Sequence, residues 1–267
     1  MFFKRSKRKL ALFCGAVLAL TVLSACGKEP APENETPALP EPEPEATAPA
    51  QPEIDPAARA AFQKVLIDYR ENLILPHGMQ LPEDLRSFGN IENNTFFIAD
   101  VDEDGMEELV LEISEAPTAG MVAYVIGYDA ASGEIVIELQ EHCGEAFYPG
   151  GIATVIASHN QTMGELWPYA IFRHNPETDR YEVVGNVYAE DHDIMESYGD
   201  VNEYHYEADP NNTGTVYFVT DDLWYGKAVD IDGYNAWRET YIPAGTEPID
   251  YERLTLTEEH IAAVTAE

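Results

Sequence analysis

Positive charge is scarce in this sequence, cysteine is scarcer, and a long apolar run occurs in one place only. Of 267 residues, 15 are Lys or Arg and 49 are Asp or Glu. Five of the cations precede Leu10, whereas every acid follows Cys26, so the chain from Cys26 onward sets 10 cations against 49 acids, a formal charge of −39. A surface that acidic repels phosphate backbones and anionic lipid headgroups, which argues against a nucleic-acid partner. The three cysteines are Cys14, Cys26 and Cys143. The first two fall in or at the end of the N-terminal segment, so Cys143 has no partner for an intramolecular disulfide and the fold depends on its core, with a metal as a further source of stability. Gly-rich phosphate loops and a G-x-S-x-G nucleophile turn are also missing, which removes the usual sequence signals of nucleotide chemistry and serine hydrolysis.

The one apolar run, Leu10–Ala25, is 16 residues long and follows a basic head made by Lys4, Arg5, Lys7, Arg8 and Lys9. A membrane span needs ~20 such residues. The run ends in Leu23-Ser24-Ala25-Cys26-Gly27, which looks like a bacterial lipobox: small residues before a cysteine that takes a diacylglycerol and becomes the mature N-terminus. Residues 1–25 are therefore read as a lipoprotein signal peptide and Cys26 as the lipidation site. Residues 26–54 are read as the lipidated cysteine and its linker. Lys28–Ile54 holds eight prolines and seven glutamates and almost no apolar side chain, too little to bury a core. Extended at ~3.1 Å per residue, these 27 residues reach on the order of 80 Å. The expected location is the outer face of the cytoplasmic membrane, with the lipid anchor as the membrane partner.

Residues 55–267 remain as a single extracellular domain. Asp55-Pro56 is a helix start, and Phe62, Val65, Leu66, Tyr69 and Leu73 form one helical stripe. From Thr95 the period changes to two, predicting strands near 95–99, 107–113, 121–128, 134–140, 152–158, 168–173 and 180–188. Glu203–Ala208 and Thr215–Thr220 flank DPNNTG as a hairpin, and Lys227–Asp230 suggests another strand. Asp232 is the expected cap of a helix carrying Tyr234, Trp237 and Tyr241, and Thr257 the cap of a last short helix. The fold class is α+β: an N-terminal helix packed on a mainly antiparallel sheet, with short C-terminal helices.

The most specific chemical signal is Asp100-x-Asp102-x-Asp104-Gly105-x-x-Glu108, set between two apolar runs. Side-chain oxygens of Asp100, Asp102, Asp104 and Glu108, with the Met106 carbonyl, suit one hard cation. Calcium, with its flexible all-oxygen coordination, is the expected cofactor. Four carboxylates within nine residues repel one another when no cation is present. An EF-hand does not fit, because loop position 12 is Leu111 and both flanks read as strands. The loop resembles instead the DxDxDGxxE/D repeats of the FG-GAP, integrin-type class. With the lipobox, the Pro/Glu linker and the segments GYNAWRETYI and LTEEHI, the whole chain resembles a broad group of surface lipoproteins of Gram-positive anaerobes. That resemblance implies a location and calcium, and no reaction.

Other groups carry less. His192 beside Asp191 and Asp193, with His205, has the residue types of a zinc site, but histidines among so many acids are read as coincidence. Cys143, next to His142, is read as a buried small side chain and not as a nucleophile. Trp167, Trp224, Trp237 and the 15 tyrosines are read first as core, with a carbohydrate-stacking platform as the other use. The expected function is a non-catalytic binding or envelope-associated module, its glycan or protein ligand unspecified. The alternative is a glycan- or wall-acting hydrolase using carboxylates that spacing does not single out. A two-lobed small-ligand receptor does not suit a domain of this size.

Overall fold

A computed structural model of the chain describes residues 54–83, 89–221 and 226–266. The segment read as a signal peptide, Cys26 and almost all of the segment read as a linker lie outside them. None of the described helices is long and apolar enough to cross a membrane. The domain is α+β: two antiparallel sheets with helices on their outer faces.

Helix α1 (Pro56–Asn72) starts where Asp55 accepts a hydrogen bond from the Ala57 amide at 2.8 Å, with Pro56 in its first turn. It ends at Leu73, whose φ of 55° turns the chain left-handed. Its buried stripe of Phe62, Val65, Leu66 and Tyr69 is the one legible in the sequence. The first sheet contains β1 (Thr95–Ala99), β2 (Glu108–Ile113), β3 (Val122–Asp129), β4 (Glu134–Glu141) and a two-residue edge strand, Leu254–Thr255, numbered β11. Its order is β11-β1-β2-β3-β4. The chain then crosses through residues 142–144 into the second sheet. This contains β5 (Glu145–Tyr148), β6 (Ile152–Ile156), β7 (Tyr169–Asn175), β8 (Arg180–Asp191), β9 (Thr215–Thr220) and β10 (Lys227–Val229), in the order β10-β9-β8-β7-β6-β5.

Strand alternation divides the apolar side chains into layers. Leu109, Leu111 and Ile113 of β2 join Phe96, Tyr124 and Ile126 against α1 and the C-terminal helix α4 (Glu258–Ala263). Val110, with Phe97, Val125 and Leu139, faces the second sheet and meets Phe147, Ala153, Val155, Phe172 and Tyr181. The far face of the second sheet packs Ile152 and Ile171 against Trp237, Tyr241 and Ile242 in and after α3 (Ile231–Glu239). A shorter helix, α2 (His192–Tyr198), buries Met195 beside Tyr204, Val216 and Phe218.

Three expectations change. Two sheets stand where one was expected, because the turn at 142–144 sends the chain away from β4. Glu203–Ala208 is not a strand: Val201–Glu203 and Tyr206–Ala208 are 3-10 turns. Local polar bonding wins there, with Asp209 accepting from the Tyr204 hydroxyl and from the Thr213 and Gly214 amides. The cap of α3 is Asp230, which accepts from the Gly233 amide at 2.9 Å, so Asp232 falls in the first turn. Thr257 caps α4 as expected, accepting from the His260 amide.

Candidate metal centre

The loop between β1 and β2 closes an antiparallel hairpin in which Ala99 pairs with Glu108. Its carboxylates tie the backbone into successive tight turns. Asp100 Oδ2 accepts from the Gly105 amide at 3.1 Å, Asp102 Oδ1 from the Asp104 amide at 2.9 Å, and Asp104 Oδ1 from the Met106 amide at 2.7 Å. Gly105 takes a φ of 96°, the left-handed turn that its place in the motif requires. At the loop's end Arg59 of α1 grips Glu107 with two bonds of 2.8 Å, a bidentate pair that fixes the hairpin on the helix.

Three of the four expected carboxylate ligands converge. Asp100, Asp102 and Glu108 each place an oxygen within 4.8 Å of the others. Asp104 is outside this group and exposed. Met106 is half-buried, with its amide engaged by Asp104. Glu108, the first residue of β2, points between the sheets and is 2% exposed. There its Oε2 accepts from the Val101 amide at 2.9 Å. Burial, with the nearby Asp102 and Glu138 carboxylates, pushes its pKa up to about 11. Burial likewise raises Asp102 to about 6, and it raises Asp100. Glu108 is therefore protonated at neutral pH unless a cation compensates its charge.

Residues far away in sequence complete the centre. Asp102 also belongs to a second group with Glu138, His174 and Asp179, whose donor atoms lie within 4.8 Å of one another. Glu138 owes its place to a bulge in the β3–β4 ladder: Val125 pairs with Leu139 and Ile126 with Ile137, leaving Glu138 as the extra residue. A side chain at Gly127 would fill the space of its carboxylate, since a Cβ there would come within 2.0 Å of Glu138 Oε1. Burial, then Asp102 and Asp179, pushes Glu138 up to about 9. His174 stands on β7, with its Nε2 3.1 Å from Asp102 Oδ2 and 3.4 Å from Asp179 Oδ1. Asp179 closes the β7–β8 turn at a φ of 51°, a left-handed conformation that aspartate tolerates. The Tyr181 hydroxyl donates to the Val101 carbonyl at 3.0 Å and ties this second sheet to the loop.

Buried polar groups are normally paired. Asn94 and Asp209 obey the rule, with their side chains bonded to nearby backbone amides. In the centre Asp100 Oδ1, Asp102 Oδ2, Glu138 Oε2 and His174 Nε2 are buried without a hydrogen-bond partner.

Nothing in sequence spacing pointed to Glu138, His174 or Asp179, which topology brings to Asp102 from β4, β7 and a hairpin turn. The faint signals were an acid inside the apolar run IVIELQ and a histidine inside a strand. The histidine pair considered from sequence is not assembled. His192 groups with Asp193 and Glu196 at the surface, while His205 lies against Glu190. Cys143 donates to the Ile113 carbonyl at 3.4 Å, and burial with the neighbouring Glu145 and Glu112 pushes its thiol up to about 12, the opposite of a nucleophile. Trp237 is half-buried and packs against the core, Trp167 is exposed, and Trp224 lies outside the described residues. A cavity of about 620 Å³ opens on the outer face of the first sheet beside Leu73, Met121 and Tyr124, with Glu115 and Glu141 in its lining and none of the Asp100–Glu108 carboxylates.

Comparison of the chain with protein-family models, curated proteins and solved structures finds no match.

Proposed function

We propose that this chain is a lipid-anchored extracellular protein whose single domain holds one structural calcium ion in the Asp100–Glu108 loop and acts as a non-catalytic binding or envelope-associated module. The anchor reading rests on the basic head, the apolar run and the small residues before Cys26. One observation carries the calcium reading: Asp100, Asp102 and Glu108 converge, and Asp100 Oδ1 is buried with no hydrogen-bond partner. An unpaired buried carboxylate oxygen is costly, and a hard cation removes that cost. The ion would join the β1–β2 hairpin to the space between the sheets, a clip for a domain that has no disulfide.

The same residues give the hydrolase alternative little support. Glu112 and Glu145 are neighbouring carboxylates, but the Glu145 side chain is 0% exposed, so no glycosidic bond reaches it.

Millimolar calcium should raise the melting temperature of the purified, chelator-treated chain, with about 2.7 kcal/mol of added stability at a hundredfold excess over Kd. Asp100→Asn keeps the bond to Gly105 and should abolish the rise; identical melting curves with and without calcium refute the site. Cys26→Ser should move the protein from the membrane to the soluble fraction. A variant that stays wholly membrane-bound contradicts the anchor.

A further inference from the structure

We propose that Asp102, Glu138, His174 and Asp179 form a second cation site, built for a divalent transition ion of the zinc class, with Asp102 standing between it and the calcium loop. The site shares Asp102 with the loop, and its other three donors lie outside the loop.

The four donor atoms converge within 4.8 Å of one another. His174 Nε2 is 3.1 Å from Asp102 Oδ2 and 3.4 Å from Asp179 Oδ1, yet neither His174 Nε2 nor Asp102 Oδ2 has a hydrogen-bond partner. Donors ~2.0–2.1 Å from a tetrahedral zinc stand about 3.3 Å apart. The group is also buried as a built site: the side chains of Asp102 and His174 are 1% and 5% exposed, and the whole of Glu138 is 5% exposed with Oε2 unpartnered.

Two local devices serve this placement. The β4 bulge turns Glu138 inward, and Gly127 leaves the volume its carboxylate occupies. Together they put a carboxylate with an unpartnered oxygen between two sheets. Asp179, whose side chain is 46% exposed, stands at the rim and provides the entry path a metal needs. The single imidazole sets the selectivity. Hard calcium and magnesium prefer all-oxygen shells, whereas one nitrogen with carboxylates suits zinc and its open-shell neighbours.

The test is calorimetric titration of the chelator-treated full chain with zinc chloride, together with visible absorption on adding cobalt(II). One equivalent of zinc should bind. His174→Ala should weaken it more than about tenfold and remove the cobalt spectrum. Asp179→Asn, on an exposed turn that leaves the core untouched, should also weaken it. Asp193→Asn, in the surface cluster of α2, should change nothing. Zinc affinity unaltered by both His174→Ala and Asp179→Asn overturns the proposal, as does zinc binding lost through Asp193→Asn. The calcium response of Asp100→Asn is read separately. Loss of zinc binding in His174→Ala with the calcium response intact supports this site, and failure of calcium alone counts only against the loop.

Discussion

Strand β2 faces two different interiors. Leu109, Leu111 and Ile113 enter a layer sealed by α1 and α4 and built mainly of apolar and aromatic side chains, with buried Asn94 satisfied by the Ser114 and Glu115 amides. From the other face of the same strand, Glu108, Val110 and Glu112 enter the space between the sheets. There Asp102, Glu138, Glu145 and His174 are also buried. The first interior is stabilised mainly by packing and needs nothing from solvent. The second holds apolar contacts, such as Phe97 against Phe147 with ring centres 6.1 Å apart, around carboxyl groups that burial makes costly to ionise. It is complete only when protons, arginines or cations neutralise those groups. One short strand thus joins a core indifferent to conditions to a core that responds to them.

The largest expected effect tests the indifferent side. Leu111 is fully buried against α1, and Leu111→Ala should cost about 2–5 kcal/mol. The loss, measured by denaturant unfolding, should be equal with and without calcium and flat with pH. A loss that changed with calcium would show that the two faces are not separate. The responsive side has a smaller signature away from the metal centre. Glu145 of β5 is buried beside Glu112 of β2, and two carboxylates this close resist ionising together. Burial, then the neighbouring Glu112 carboxylate, pushes Glu145 up to about 8, whereas the bonds to Thr95 and Arg253 help hold Glu112 below its ordinary value. A raised folded pKa lends stability that is full below the unfolded value of ~4.5 and is lost as pH rises through about 8. The lowered Glu112 acts in the opposite sense, its contribution being lost only as pH falls below ~4.5. With calcium saturating, wild-type stability should therefore fall as pH rises from about 5 through about 8, and Glu145→Gln should flatten part of that fall. Parallel pH profiles for the two proteins would contradict the raised Glu145 pKa.

The dry interior is also the one legible in the sequence. Its signals are local: the Phe62–Tyr69 stripe, the alternation through Leu109–Ile113, and the Asp55 and Thr257 caps each act within a few residues. Half of the centre was equally legible, because the loop motif places Asp100, Asp102 and Glu108 by backbone turns of its own. The other half was not. Glu138 points inward only because of a ladder irregularity set by pairing with β3, and its room depends on Gly127, eleven positions away. His174 meets Asp102 only because the chain leaves the first sheet after β4 and builds a second across from it. Misreading 203–208 had the same kind of cause. Tyr204, Tyr206 and Ala208 alternate like a strand, but Asp209 holds the segment in turns through its own local bonds. Side-chain period records burial well, and it is silent about which strand lies opposite.

Hydrogen exchange of the full chain, followed by segment with and without saturating calcium, tests the contrast most directly. Calcium should slow exchange through the loop and β2, residues 100–113, and leave the middle of α1, residues 60–70, at its metal-free rate. Equal slowing in both segments, or no change in either, would contradict a cation-dependent interior beside an indifferent one.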